Sequence, residues 1–265
     1  MIDHREAALS RAAGADFSIA SLQVGEFDLV TFHRGLAGAR FVTVYIEGDG
    51  RVARTRTQLS DDPTPRSPVG LDLALADPSP AVLYLSRPCQ YLTETELAHC
   101  DSRYWSLARY SEAVVSATDQ AIDWALHASG MSEPTVGLVG YSGGGAIAAL
   151  VAARRTDVDW LVTVAGNLDH KTWTEIHALT PLRDSLNPVD FAEFLAEIPQ
   201  HHLIGENDKN ITSAVAKSYM RAFSDQHQIS LRPVPGFTHH CCWIDIWPEA
   251  LCSFPPAAAS ACPAL

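Results

Sequence analysis

At 265 residues, 47% of them hydrophobic, the chain is long enough to bury one large core, and a single domain spanning 1–265 is expected. A formal charge of −12 lacks the cationic field that nucleic acids and anionic membranes require, so a neutral or weakly charged small molecule is the expected partner. No apolar stretch has the length of a membrane span, and Asp3, His4, Arg5 and Glu6 precede any apolar run, unlike a secretory signal. The chain therefore reads as cytoplasmic, or as periplasmic or secreted if it is a mature form.

Runs rich in β-branched and aromatic residues predict strands over 17–24, 26–33 and 41–47, the first two close enough to form an antiparallel hairpin at a sheet edge. Residues 51–68, containing the run DDPTPRSP, read as a surface loop. A helix over 70–76 and a strand over 81–86 follow, then a long helix over 106–129 and the apolar strand 135–141. The Ala-rich helix 144–155 leads to a strand over 159–165. Residues 167–188, with Trp173, His177 and two prolines, are the longest insertion beyond that point and are expected to cap a pocket, with the cap-like region extending to about 197. A helix over 189–197, a strand over 199–204, a helix over 212–226 and a strand over 229–234 complete the alternation. The Pro/Ala-rich segment 254–265 reads as a loosely attached terminus. Strands alternating with helices imply an α/β fold with parallel pairing and helices on both faces.

Six cysteines, an even number, allow either buried thiols or disulfides. If the protein is exported, Cys89 with Cys100 and Cys252 with Cys262 are the short-loop pairs. Adjacent Cys241 and Cys242 are expected to stay free, because pairing them closes a strained ring. No CxxC or HxxxH spacing is present, so no metal is expected.

The chemistry centres on Gly140, Tyr141, Ser142, Gly143 and Gly144, a GxSxG between a strand and a helix. A sharp strand-to-helix turn lifts the serine oxygen into the open and aims a helix N-terminus at a developing oxyanion. An activated serine needs a base and a group that orients the base. Asp208 follows the strand 199–204, and His239 follows the strand 229–234. Ser142, Asp208 and His239 thus all lie at the carboxyl ends of strands, where parallel sheets gather their functional groups. Glu206 leaves its strand too early, and Asp169 is the second choice of acid. His240 adjoins His239, but His239 has the expected two residues between it and Gly236. The remaining histidines, His170, His177, His201 and His202 among them, read as surface or packing residues. The oxyanion donors are expected to be the N–H of Gly143 and, from the turn 47–50, the N–H of Asp49. Tyr141, Trp173, Phe237 and Trp243 adjoin the catalytic loops and are expected to line an apolar pocket. Gln90 and Tyr91, after the fourth strand, either contact substrate or brace their loop.

With GYSGGG as nucleophile elbow, GENDKN as acid loop and GFTHH as histidine loop, the sequence resembles the α/β-hydrolase superfamily from about residue 27 to 251. The resemblance implies a mostly parallel eight-stranded sheet, Ser142 as nucleophile, His239 as general base then acid, and Asp208 as its orienting group. Where many members carry His-Gly in the oxyanion loop, this chain carries Glu47 and Gly48. The segments YIEGDG, RPCQY, GYSGGG, AGNLDH, SLNP and CCW also resemble a group of bacterial serine hydrolases of the esterase and lipase kind. The expected activity is hydrolysis of carboxylic esters of a small or medium apolar substrate through an acyl-enzyme, with no metal or organic cofactor. Alternatives are an acyltransferase or a small peptidase or amidase using the same triad, and outside enzymes a catalytically silent ligand-binding protein.

Overall fold

The apolar runs pair into one eight-stranded sheet in the computed structural model, which describes residues 3–55, 57–225 and 227–262. After α1 (His4–Gly14), capped by the Asp3 carboxylate, β1 (Ser18–Val24) and β2 (Phe27–Arg34) form an antiparallel hairpin. Then come β3 (Phe41–Ile46), a small hairpin of β4 (Ala53–Thr55) and β5 (Gln58–Leu59), α2 (Val69–Leu75) and β6 (Val82–Leu85). The middle of the chain carries α3 (Glu94–Leu97), α4 (Glu112–Ser129), β7 (Thr135–Tyr141), α5 (Gly143–Ala152), β8 (Val158–Val164) and α6 (His170–Ile176). It ends with α7 (Ala192–Leu195), β9 (Gln200–Gly205), α8 (Ser213–Arg221), β10 (Ile229–Val234), α9 (Glu249–Cys252) and α10 (Pro255–Ser260).

Strand order is β1-β2-β6-β3-β7-β8-β9-β10, and every pairing from β6 to β10 is parallel. Parallel strands require crossovers, which place α4, α5 and α8 on one face and α1, α2, α9 and α10 on the other. β7 is central and almost wholly buried, which is why it reads as a continuous apolar run. Every residue of α5 is buried, the expected place for a helix apolar on all sides. That helix enters close to the sheet: a Cβ on Gly144 would stand 2.1 Å from the Ile46 carbonyl oxygen.

Several expectations are corrected. The sequence reading omits α1, which buries only the small Ala8 and Ala12 and so carries little apolar periodicity. The helix expected over 106–129 starts at Glu112, after a loop that ends in Ser111 at the N-cap position. The loop 51–68 contains the β4–β5 hairpin, although its residue 56 lies outside the described residues. The helix expected over 212–226 ends at Arg221, and residue 226 also lies outside them. The terminus is not loosely attached over 254–262. Its α10 buries Ala257, Ala261 follows fully buried, and Trp160 Nε1 donates to Ser260 Oγ at 2.9 Å. Residues 263–265 of that segment lie outside the described residues.

Cysteines pair as Cys89–Cys100, Cys252–Cys262 and Cys241–Cys242. The last pairing overturns the expectation that the adjacent thiols stay free. Cys242 adopts φ 149°, a rarely used backbone conformation that accompanies the bridge between neighbouring side chains.

Candidate active site

The end of β7 delivers Ser142 in a sharp turn, at φ 52° and ψ −119°, which a non-glycine residue adopts at a cost of about 1–3 kcal/mol. The surrounding backbone holds the turn in place. Ser142 N–H donates to the Val164 carbonyl, while Asn167 N–H and Gly145 N–H both donate to the Ser142 carbonyl. Strained backbone braced by hydrogen bonds from β8 and the following loop presents Oγ away from the sheet.

Loops after β9 and β10 meet that oxygen. Asp208 Oδ1 accepts from Asn210 N–H at 2.7 Å and Ile211 N–H at 2.9 Å, which leaves Oδ2 facing His239 Nδ1 at 2.8 Å. A carboxylate only accepts, so Nδ1 carries the proton and Nε2 presents its lone pair to Ser142 Oγ, 2.9 Å away. The His239 carbonyl accepts from both Tyr141 OH and Trp243 Nε1, each at 3.0 Å, which fixes the loop. Asn207 N–H donates to the Phe237 carbonyl and ties the acid loop to the histidine loop.

The competing residues occupy other places. His240 is exposed and contacts Tyr141 OH through Nδ1 at 3.0 Å; burial, then the neighbouring His239, push its pKa down against the pull of Asp208. Glu206 is exposed. Asp169 caps α6, and its carboxylate accepts from Lys171 N–H, Thr172, Asn187 and Ser218. His202 is buried against Thr163 and Gln200, with burial driving its pKa down to about 3.

The turn 47–50 abuts the elbow, with Gly48 against Ser142 and the Asp49 carboxylate against Gly143. Gly48 N–H is taken by Glu47 Oε1, whereas the Asp49 N–H has no acceptor among the described residues. Glu47 is buried and accepts from Gly70 N–H, Leu71 N–H and Tyr84 OH; burial still raises its pKa to about 6. Asp49 takes Arg87 and Arg109 at 3.0 Å each and Tyr110 OH at 2.8 Å. Burial opposes its charge, but the two guanidiniums and the phenol outweigh burial and hold the carboxyl below the usual carboxylate range. Gln90 and Tyr91 brace this turn. Gln90 Nε2 donates to the Gly48 carbonyl, and Tyr91 is fully buried against Tyr84.

Residues 73–233, more than half of the chain, match the family model described as Serine hydrolase (FSH1). The chain belongs to this serine hydrolase family. Its fold is similar to a solved α/β serine hydrolase homologue from Coxiella burnetii, with TM-score 0.56 and 14% identity over 84% of this chain and 89% of that one. A dienelactone hydrolase from Anabaena variabilis gives 0.55 and 19%, over 92% and 94%. The esterase Pf2001 of Pyrococcus furiosus gives 0.56 and 13%, over 89% and 87%. At these identities the likeness is one of fold. Among curated proteins none matches this sequence.

In this FSH1-family hydrolase a cleft of about 770 Å³ opens above Ser142 and His239. Val52, Leu59, Leu107, Trp173, Leu179 and Leu182 supply its apolar wall, the first two from the 51–68 segment and the last three from the insertion after β8. Tyr141 and Trp173 line it. Phe237 and Trp243 do not: they pack edge-to-face at 5.1 Å behind the histidine loop, Trp243 within the core and Phe237 half-buried against it. Their adjacency to His239 in sequence misleads because the loop turns its aromatic side chains inward.

Arg87, Arg109 and Tyr110 escape sequence reasoning altogether, since their role depends on meeting Asp49 across 38, 60 and 61 residues of chain. Asp49→Ala is expected to lower the unfolding free energy by about 3–5 kcal/mol, because it leaves two buried guanidiniums unpaired. Asp61→Ala, which breaks the exposed Arg54–Asp61 pair, is expected to cost less than about 1 kcal/mol. Urea unfolding of the two variants measures the difference.

Proposed function

We propose that the chain is a serine ester hydrolase, with Ser142 as nucleophile, His239 as general base and then acid, and Asp208 as the orienting group. The observation that carries this reading is the continuous run Ser142 Oγ, His239 Nε2, His239 Nδ1 and Asp208 Oδ2, with spacings of 2.9 and 2.8 Å. Ser142 Oγ attacks the ester carbonyl as its proton passes to His239 Nε2. The C–O bond to the alcohol then breaks, and the imidazolium returns that proton to the departing oxygen. Water, deprotonated by the same nitrogen, cleaves the acyl-enzyme and restores Ser142.

The tetrahedral oxyanion is received by Gly143 N–H, unpaired at the first turn of α5, and by Asp49 N–H in the neighbouring turn. A carboxylate beside an oxyanion repels it. Arg87, Arg109 and Tyr110 offset that repulsion, which lets Asp49 stand beside the oxyanion. The apolar wall suits a small or medium acyl or alcohol group, and the esterase named among the structural neighbours fits the same chemistry. On this reading the chain is a single α/β-hydrolase domain, and residues 167–197 form its cap.

A fluorophosphonate probe tests the nucleophile. The purified protein is expected to gain one adduct mass, located at Ser142 by peptide mapping, and protein heat-denatured before the probe is added is expected to gain none. An unlabelled Ser142 in folded protein would defeat the assignment.

A further inference from the structure

The cleft above Ser142 carries local charge opposite in sign to the chain as a whole. Two carboxylates, Glu47 and Asp49, and three guanidiniums, Arg51, Arg66 and Arg109, line its walls. Glu47 is enclosed by three backbone N–H groups and Tyr84 OH, and Asp49 is shared by Arg87 and Arg109. Arg109 is thereby also engaged. Arg51 and Arg66 remain on the cleft wall, and among the described residues neither has an ion-pair or hydrogen-bond partner for its guanidinium. The nearby Arg54 differs on both counts, being paired with Asp61 and absent from the cleft lining.

The backbone brings Arg51 and Arg66 to one wall. Gly50 turns at φ +67° so tightly that a Cβ there would stand 2.0 Å from the Pro63 carbonyl oxygen. Arg51 N–H then donates to that same oxygen at 2.9 Å, fixing Arg51 beside the segment that leads, three residues on, to Arg66. Arg51 is half-buried and Arg66 exposed, and the apolar Val52 and Leu59 line the same cleft. A guanidinium presents a planar fork of donors that matches a carboxylate, and beside apolar surface its pull is less screened than in open water.

We propose that Arg51 and Arg66 form an anion-binding subsite, and that the substrate is an ester that also carries a free carboxylate on an otherwise apolar body. This rests on the reading of Ser142 as the acyl-accepting nucleophile. A chain of charge −12 repels anions from a distance. Recognition of an anionic ester therefore depends on charges within about one Debye length of the cleft, roughly 8–10 Å at ordinary salt. Unpaired arginines at the mouth provide such charges, and a cationic substrate meets repulsion there.

The test uses matched ester pairs. Mono-p-nitrophenyl glutarate and p-nitrophenyl pentanoate place the carboxylate on the acyl side. 4-Acetoxybenzoate and phenyl acetate place it on the leaving group. The full chain is expected to show a kcat/KM at least about tenfold higher for the anionic member of one pair, and that pair assigns the side. The preference should shrink several-fold in 0.5 M NaCl, and it should fall about tenfold in both Arg66→Glu and Arg51→Gln. Arg66 is exposed, so Arg66→Glu keeps the test valid if Arg51→Gln folds poorly; thermal unfolding checks both. Neutral esters cleaved without preference for either anionic partner, or a preference retained in a folded Arg66→Glu protein, overturns the subsite alone. Failure to cleave any of the four esters, together with failure of fluorophosphonate labelling, overturns the reading of Ser142 instead.

Discussion

Ser142→Ala is expected to lower kcat/KM for p-nitrophenyl butyrate by about 10⁴-fold or more, with little change in melting temperature. Removing Oγ deletes the attacking atom, and no other hydroxyl stands at His239 Nε2 in its place. Stability should hold because the turn is secured by backbone groups: the Ser142 amide on Val164, and the Asn167 and Gly145 amides on the Ser142 carbonyl. Alanine keeps all of them and accepts the same φ of 52° at a similar cost. His239→Ala should be comparably damaging, since members of a triad act as a unit, whereas His240→Ala should retain most activity. Steady-state kinetics with thermal unfolding on the same preparations measures this. Retention of activity by Ser142→Ala would exclude Ser142 as the nucleophile.

The second large effect is expected from Asp208→Asn, about 10⁴-fold in kcat with a folded and nearly isosteric protein. The reason lies in how the carboxylate is held. Oδ1 accepts two backbone N–H groups, from Asn210 and Ile211. An asparagine oriented by those donors keeps its carbonyl oxygen on that side and turns its NH₂ toward His239 Nδ1. A donor facing Nδ1 selects the tautomer with the proton on Nε2, and that nitrogen then has no lone pair to take the Ser142 proton. Stability changes little, because Asn retains both acceptor contacts. A pH series of kcat on this variant separates the two effects: a wrong tautomer depresses the rate across the whole neutral range. A rate within tenfold of the parent at neutral pH would remove Asp208 from the orienting role.

Much of the sheet was legible because strand signals are short-range. The runs at 135–141 and 159–165 are apolar on both sides, as strands covered on both faces must be, and the structure places them centrally as β7 and β8. The missing helix α1 and the unloosened terminus have the same physical cause. Both bury small alanines, Ala8 and Ala12 in one, Ala257 and Ala261 in the other, and alanine contributes little to an apolar pattern even where it packs tightly. Phe237 and Trp243 show the opposite failure: large aromatics beside a functional loop signal burial without saying on which side of the loop.

By itself the sequence determined the strand-to-helix turn at Ser142, the order Ser142, Asp208, His239 at strand ends, and the alternation that makes the sheet parallel. These follow from patterns of a few residues, set by backbone sterics and side-chain periodicity. Only the tertiary structure decided that His239 rather than His240 reaches Ser142, 97 residues away, and that Asp49 is neutralised by Arg87, Arg109 and Tyr110. It also decided that Arg51 and Arg66 share a cleft wall. The partners of these groups come together through sheet order and helix crossovers, and a charge or a ring nitrogen carries no local mark of the residue it will meet.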